Sequence, residues 1–397
     1  MLLSLALIFL IGMTMGWLCR RLRLPSLLGM ILTGVLLGPY ALNQIDGSIL
    51  GISAELRRIA LIIILTRAGL SLEINDLKKV GRPAVLMCFL PACLEMLGML
   101  VLAPRLLGIS WLDAAIMGAV VGAVSPAVIV PKMLKLMEEG YGTKQSIPQM
   151  ILAAASVDDV FVIVVFSVFT GLAQSGVMAA ASFGTIPVSI LTGILTGLGL
   201  GILLAKYFEL VHVRDTVKVL VLLSVSFILM TLEDTAGDKI PFSALIAIMC
   251  IGIAWQKKRQ VVAKRLSVKF NKLWVAAEIM LFVLVGATVD LKYASSAGMA
   301  AVLLIFGVLV FRMLGVFLCL LGTSLNGGER LFCMIAYMPK ATVQAAIGGM
   351  PLAMGLSCGN IVLTVAVLAI LITAPLGAFL IDLTYRCLLK RERGADE

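Results

Sequence analysis

Ile147-Pro-Gln-Met-Ile-Leu-Ala-Ala-Ala-Ser-Val-Asp-Asp-Val-Phe-Val-Ile-Val-Val-Phe-Ser-Val-Phe169 is apolar and helix-forming. At ~1.5 Å per residue it is long enough to cross the ~30 Å hydrocarbon core of a bilayer. Yet Asp158 and Asp159 stand side by side near its middle. An ionised carboxylate at the bilayer centre costs about 2.5–3.5 kcal/mol on insertion scales, and two adjacent ones repel. An ordinary apolar helix does not carry such a pair. It points to an ion site that holds protons and a metal cation in turn. The alternative is two acids neutralised by basic partners for packing alone.

Working outward, the chain has 397 residues, 61% of them hydrophobic and 14% charged, which is the composition of a polytopic membrane protein. The net charge of +10 does not argue for nucleic acid, because the basic residues are spread through short loops between apolar runs. Eight cysteines occur without a CxxC pair, most of them inside apolar runs, so neither a disulfide framework nor a metal cluster is expected. The single His212 lies in a loop and argues against a histidine-ligated cofactor. Met1 to Trp17 lacks a basic segment before its apolar run, and Arg20, Arg21 and Arg23 follow it, as in a retained first span.

About thirteen spans are expected, near residues 2–18, 26–42, 54–72, 83–104, 110–137, 147–172, 181–207, 217–234, 241–255, 270–290, 296–322, 329–355 and 358–385. Lys and Arg crowd the odd-numbered loops and the C-terminal tail, whereas the even-numbered side has only Arg57, Arg58, Arg105, Lys239 and Lys292. This asymmetry predicts an N-terminus outside and a cytoplasmic C-terminus. The run from Lys257 to Lys272 reads as an interfacial helix, with anionic lipid as its partner. Arg67, near a span end, reads as a side chain snorkelling to the interface, and Glu278 fits either a funnel lining or a subunit contact.

Two spans are interrupted. The fifth carries Gly122-Ala-Val-Ser-Pro-Ala-Val-Ile-Val-Pro131; the twelfth carries Tyr337-Met-Pro-Lys-Ala-Thr-Val-Gln344 and then Gly348-Gly-Met-Pro351. A lone intramembrane Pro is usually a kink. Two interrupted spans with Ser125, Lys340 and Thr342 at their breaks instead mark a transporter site between inverted repeats. With the seventh span as linker, the fifth and twelfth occupy matching positions in two halves, as do the fourth and eleventh, which carry Glu95 and Arg312 at matched depth. Single buried charges are prohibitive, so these two are expected to form an ion pair.

These motifs, with Ala155-Ser-Val-Asp-Asp159, Glu139-Gly-Tyr-Gly142 and Ile370-Leu-Ile-Thr-Ala-Pro375, resemble the monovalent cation:proton antiporter superfamily. They are most similar to the sodium/proton exchangers of subfamily B of the ninth solute-carrier family and their bacterial relatives. The resemblance covers roughly residues 20 to 385. It implies an all-α fold of two inverted six-helix repeats with crossed discontinuous helices at spans five and twelve. It also implies a dimerisation domain near 1–72 and 181–290, an ion-carrying core near 83–172 and 296–385, and a short tail from 386 to 397. In such proteins the second aspartate binds the cation and the first handles protons, which carries over to Asp159 and Asp158. Ser125, Ser156, Thr342 and Gln344 are the expected polar supports, and Lys340 offsets a helix end. Some relatives pair a tenth-span lysine with the first aspartate; here Ile279 to Val289 has no basic residue, and Arg312, Glu95 and Lys340 match the subfamily's own charges.

The expected function is exchange of Na⁺, and Li⁺ with it, for H⁺ in the inner cell membrane by a homodimer without cofactor or enzymatic activity. A K⁺/H⁺ antiporter would use the same residues. A channel would need a filter such as Thr-Val-Gly-Tyr-Gly, which is absent from the sequence. A proton-translocating subunit of a redox complex would depend on partner subunits. The missing tenth-span base favours exchange of one H⁺ per cation.

Overall fold

The computed structural model describes residues 1–22, 24–71, 81–175, 180–236, 242–289 and 291–391; the side chains of 156, 175, 180–187, 236 and 291–297 lie outside the description. Its helices in chain order are α1 Leu2–Arg21, α2 Ser26–Leu37, α3 Gly47–Gly51, α4 Ser53–Ser71, α5 Arg82–Met87 and α6 Leu90–Leu107. There follow α7 Trp111–Val121, α8 Pro126–Glu138, α9 Ile147–Ser175, α10 Ala180–Leu210, α11 Asp215–Ala236 and α12 Ala244–Lys258. The last six are α13 Gln260–Ala287, α14 Leu291–Cys319, α15 Gly327–Ala336, α16 Thr342–Ile347, α17 Met350–Ala353 and α18 Gly359–Leu388. Among the described residues, 9 helical stretches are long and apolar enough to cross a membrane, and the protein is a multi-pass membrane protein. Each of the other expected spans also contains a helix: α2 and α12 are short, α4 carries several charges, and the twelfth span is broken into α15, α16 and α17.

Three local readings change. The fourth span is two helices, α5 and α6, with Phe89 at φ −143° between them and Pro91 in the first turn of α6, where its missing N–H costs nothing. The basic run after Lys257 is not a separate interfacial helix. It is the first turns of α13, which continues to Ala287 because no Gly or Pro interrupts it before Gly286. Arg67 does not simply snorkel: its Nη1 donates to Asn271 at 3.2 Å and its guanidinium lies 5.4 Å from the Trp274 ring centroid.

By packing the chain forms two compact units. One holds Met1–Ala54, Ile74–Val162 and Leu281–Glu397; the other holds Glu55–Glu73 and Ile163–Met280. The first unit contains every interrupted helix. In it α6 packs along α14 and against α7, and α18 lies against α15, α16, α7 and α8. Burial agrees with a central place for these: 78% of the α7–α8 window and 72% of the α18 window are buried, against 28% for α1. Helices apolar all round are expected in an interior or in lipid, and burial separates the two.

Small residues let the helices of this unit approach closely. A Cβ at Gly34 would strike the Val283 carbonyl, and one at Gly286 would strike the Ile31 carbonyl, so α2 and α13 cross backbone to backbone. The first unit thus takes in α1 and α2, which the sequence reading sets in a dimerisation domain. Overpacking at such a crossing costs about 1–3 kcal/mol. Gly34→Val and Gly286→Val should each lower the melting temperature in detergent by several degrees, whereas Gly298→Val, which meets open space, should not. Tryptophan-fluorescence or dye-based thermal ramps of the three purified variants would check this.

Candidate functional site

The two breaks meet. Between α7 and α8 the chain leaves the helix at Gly122 and re-enters at Pro126, with Ser125 extended at φ −92° and ψ 109°. Between α15 and α16 it leaves at Tyr337 and re-enters at Thr342. The Ser125 N–H donates to the Pro339 carbonyl at 2.8 Å, so one break is hydrogen-bonded directly to the other. Each break exposes a helix C-terminus with unpaired carbonyls and a helix N-terminus with unpaired N–H groups. In a membrane interior those groups must be satisfied by protein.

Side chains from distant spans do this. Gln344 Nε2 donates to the carbonyls of Val121 at 3.1 Å and Ala123 at 2.8 Å. Arg312 Nη1 donates to the carbonyl of Gly122, and its Nε donates to that of Tyr337 at 2.6 Å. Asp158 Oδ2 accepts from the Val124 N–H at 2.8 Å. On the other break, the Lys340 N–H donates to Thr373 Oγ1 at 2.9 Å, and the Tyr337 hydroxyl donates to the Met87 carbonyl at 3.1 Å. The α18 backbone comes close here too, because a Cβ at Gly377 would overlap the Pro339 ring.

The same residues form a buried charge network. Arg312 reaches Glu95 Oε2 through Nη1 at 2.6 Å and Asp158 Oδ2 through Nη2 at 3.0 Å. Lys340 Nζ reaches the same Glu95 oxygen at 2.5 Å. The Arg312 guanidinium also lies 5.1 Å from the Tyr337 ring centroid. Glu95, Asp158, Arg312 and Lys340 are each 0% exposed. With ordinary charges the two acids and two bases sum to zero, which is how four charges survive away from water. Asp159, next along α9, is half-buried. Ser125 Oγ, Thr342 Oγ1, Gln344 Oε1 and Asp158 Oδ1 are buried oxygens without a hydrogen-bond partner among the described atoms. Oxygens of this kind are the donors that hard cations take.

The structure therefore brings Glu95, Arg312, Lys340 and Asp158 into direct contact, with Gln344 bonded to carbonyls of the same break and Ser125 and Thr342 at the helix starts. The Ser156 side chain lies outside the described residues. Lys340, expected to offset a helix end, shares Glu95 with Arg312. Sequence reasoning missed Tyr337, whose carbonyl and ring both hold Arg312, and Thr373, which caps the twelfth-span break. Tyr337 opens a motif singled out for its proline and Thr373 lies in one that carries the resemblance, but nothing in the spacing assigns those contacts.

A family model described as "Sodium/hydrogen exchanger, transmembrane" matches residues 5–384. Sodium/hydrogen exchanger 9B2 of Mus musculus is 36% identical over 392 residues, covering 94% of this chain and 70% of that protein. Sodium/hydrogen exchanger 9B1 of Homo sapiens is 32% identical, covering 91% of this chain and 72% of that protein. Among solved structures, the sodium proton antiporter MjNhaP1 from Methanocaldococcus jannaschii at pH 8 superposes with a TM-score of 0.83 at 21% identity, over 97% of each chain. At that identity the likeness concerns the fold alone.

The network ranks its own members. Arg312→Met strips counter-charge from two acids and a donor from two carbonyls, and breaking one buried pair alone costs about 3–5 kcal/mol. Lys340→Met leaves Glu95 still paired with Arg312. Thermal ramps in detergent should show the larger loss for Arg312→Met, and Glu95→Gln should restore part of the loss in Lys340→Met but little in Arg312→Met.

Proposed function

The chain belongs to the sodium/hydrogen exchanger family and is a cation/proton antiporter, and we propose that it exchanges Na⁺, and Li⁺ with it, for H⁺ by alternating access at Asp159. The observation that supports this is the unequal treatment of two adjacent carboxylates. Asp158 is fully buried, bonded to Arg312 and to the Val124 N–H, while Asp159 is half-buried. With the Glu95–Arg312–Lys340–Asp158 set neutral, the charge that varies at the break is that of Asp159.

The mechanism is competition for one carboxylate. Ionised, Asp159 takes a dehydrated cation together with neighbouring oxygens, for which the unpaired Ser125, Thr342 and Gln344 atoms are candidates. Protonated, it loses its charge and releases the ion. The empty, ionised site is the one state with net charge, and moving a charge through an apolar barrier is expensive. The cycle therefore passes the barrier loaded with Na⁺ or with H⁺. Nucleotide and redox chemistry play no part in this scheme; the ion gradients drive it.

In this reading the protein sits in the inner cell membrane as a homodimer, N-terminus outside and C-terminus cytoplasmic. Residues near 1–72 and 181–290 supply the dimerisation domain, and those near 83–172 and 296–385 carry the ion.

Asp159→Asn keeps the shape and removes the charge. Proteoliposomes with an imposed pH gradient, challenged with Na⁺, Li⁺ and K⁺ separately, should show cation-dependent collapse for the wild type and less than about a hundredth of that rate for Asp159→Asn. Retention of near-wild-type exchange would sink the assignment. Because H⁺ and Na⁺ compete, the apparent KM for Na⁺ should rise as pH falls while the maximal rate changes less.

Stoichiometry follows from Asp158. If Arg312 keeps it ionised throughout, one H⁺ exchanges for one Na⁺ and no net charge moves. Clamping the voltage with valinomycin and K⁺ should then leave the Na⁺-driven H⁺ flux unchanged within about 20%. A several-fold acceleration would make Asp158 a second proton carrier.

A further inference from the structure

Span four has an interruption of its own, between α5 and α6. The chain leaves α5 at Met87, Phe89 stands at φ −143° and ψ −36°, and α6 begins at Leu90 with Pro91 in its first turn. Pro91 costs α6 nothing there, but it leaves a gap behind it. In a continuous helix the Met87 carbonyl would accept from the N–H of residue 91, and proline has none. Met87 is buried, so its carbonyl needs a donor from elsewhere in the protein. The Tyr337 hydroxyl is that donor, at 3.1 Å, across 250 residues of sequence.

The elements that meet this interruption each carry a member of the buried charge network. Glu95 stands on α6 one turn beyond Pro91, on the same side of the helix. The helix of Arg312, α14, runs against the first turn of α6, since a Cβ at Gly315 would fall 2.7 Å from the Pro91 Cα. The Phe89 ring lies 6.2 Å from that of Phe161, which follows Asp158 and Asp159 on α9. Tyr337 closes α15, three residues before Lys340. Its ring and carbonyl hold Arg312, and a phenylalanine would serve for both. The hydroxyl has one task, the Met87 carbonyl.

We infer that the α5–α6 break is a third working discontinuity beside those of spans five and twelve, and that Tyr337 is the positioning residue whose hydroxyl keeps it open. Arg312 already bonds the break of span five to that of span twelve, through the Gly122 and Tyr337 carbonyls. Tyr337 adds the break of span four, so the three interruptions form one bonded set. When the site changes sides, the helix bearing Glu95 turns with the crossing, and Glu95 keeps both its bases. A span interrupted at a proline suits this, because it bends where its hydrogen-bond ladder is already missing. This role rests on the alternating access proposed for exchange. It lies in moving the site and not in holding the cation.

Tyr337→Phe removes the hydroxyl alone, and Pro91→Ala gives residue 91 an N–H that can take the Met87 carbonyl and close the break. The full chain is purified as wild type, Tyr337→Phe and Tyr337→Phe/Pro91→Ala. Melting temperature is followed in detergent, and Na⁺-driven H⁺ flux in proteoliposomes. Tyr337→Phe should melt several degrees lower and exchange at less than about a fifth of the wild-type maximal rate, with the KM for Na⁺ within about twofold. The double variant should regain most of the melting temperature and none of the rate. Should the single variant fold poorly, the double one decides alone. A wild-type rate in Tyr337→Phe would overturn the inference. So would recovery of rate and melting temperature together in the double variant, because the hydroxyl would then satisfy a carbonyl and nothing more. A double variant no more stable than the single one would do the same, since the break would not be held against closure. A rise of about tenfold in KM at unchanged maximal rate would place the hydroxyl at the cation and equally refute its role in movement. The wild-type flux in the same vesicles tests the exchange reading separately.

Discussion

An interrupted helix inside a membrane is tolerable only if something else takes over its hydrogen bonds. The rest of the first unit depends on this constraint. The stretch from Val121 to Ser125 would leave three carbonyls and two N–H groups without helical partners. Here Gln344, Arg312, Asp158 and the Pro339 carbonyl take them up one by one. Two of these four, Arg312 and Asp158, also belong to the buried charge network. Support of the break and the buried charge are thus shared by Arg312 and Asp158, and neither role can be altered alone.

That sharing decides how the network's energy should be understood. A buried ion pair is no guarantee of stability, since desolvation can exceed the Coulombic gain. Arg312 is different because each of its nitrogens has a fixed job: Nε on Tyr337, Nη1 on Gly122 and Glu95, Nη2 on Asp158. A planar guanidinium can serve such a fan of acceptors, whereas an ammonium cannot. Lys340, a compact charge, has the single task of sharing Glu95.

Much of this was legible in the sequence, because membranes punish anomalies. A carboxylate pair in an apolar run, a proline within a span and a lone Glu or Arg at mid-depth each stand out against a uniform background. Asp158, Asp159, Glu95, Arg312 and Lys340 could be picked for that reason, as could the two breaks. The rest was hidden because it is carried by ordinary atoms. The carbonyls of Gly122 and Tyr337 have no sequence signature. Thr373 looks like any threonine bonded back to its own helix, which it also is, through the Ala369 carbonyl. The α5–α6 break was missed because Pro91 fits equally well a kink within a span and the first turn of a new helix. The continuity of α13 was missed because a basic run reads as a separate helix at the membrane surface, although nothing in it stops the helix from running on into the apolar span.

The sequence distance within the network bears on how the protein is made. Glu95 finds Arg312 217 residues later and Lys340 245 residues later. At a synthesis rate of about 5–20 residues per second, Glu95 enters the membrane on the order of ten to fifty seconds before its counter-charges exist. Asp158 waits for Arg312 across 154 residues. During that interval the acids must be protonated, sheltered at the insertion machinery or left facing water. The ordered site is therefore a late product of biogenesis. The break in the half made first is held only when the half made last arrives, and a nascent chain stalled between them offers quality control two exposed carboxylates to recognise.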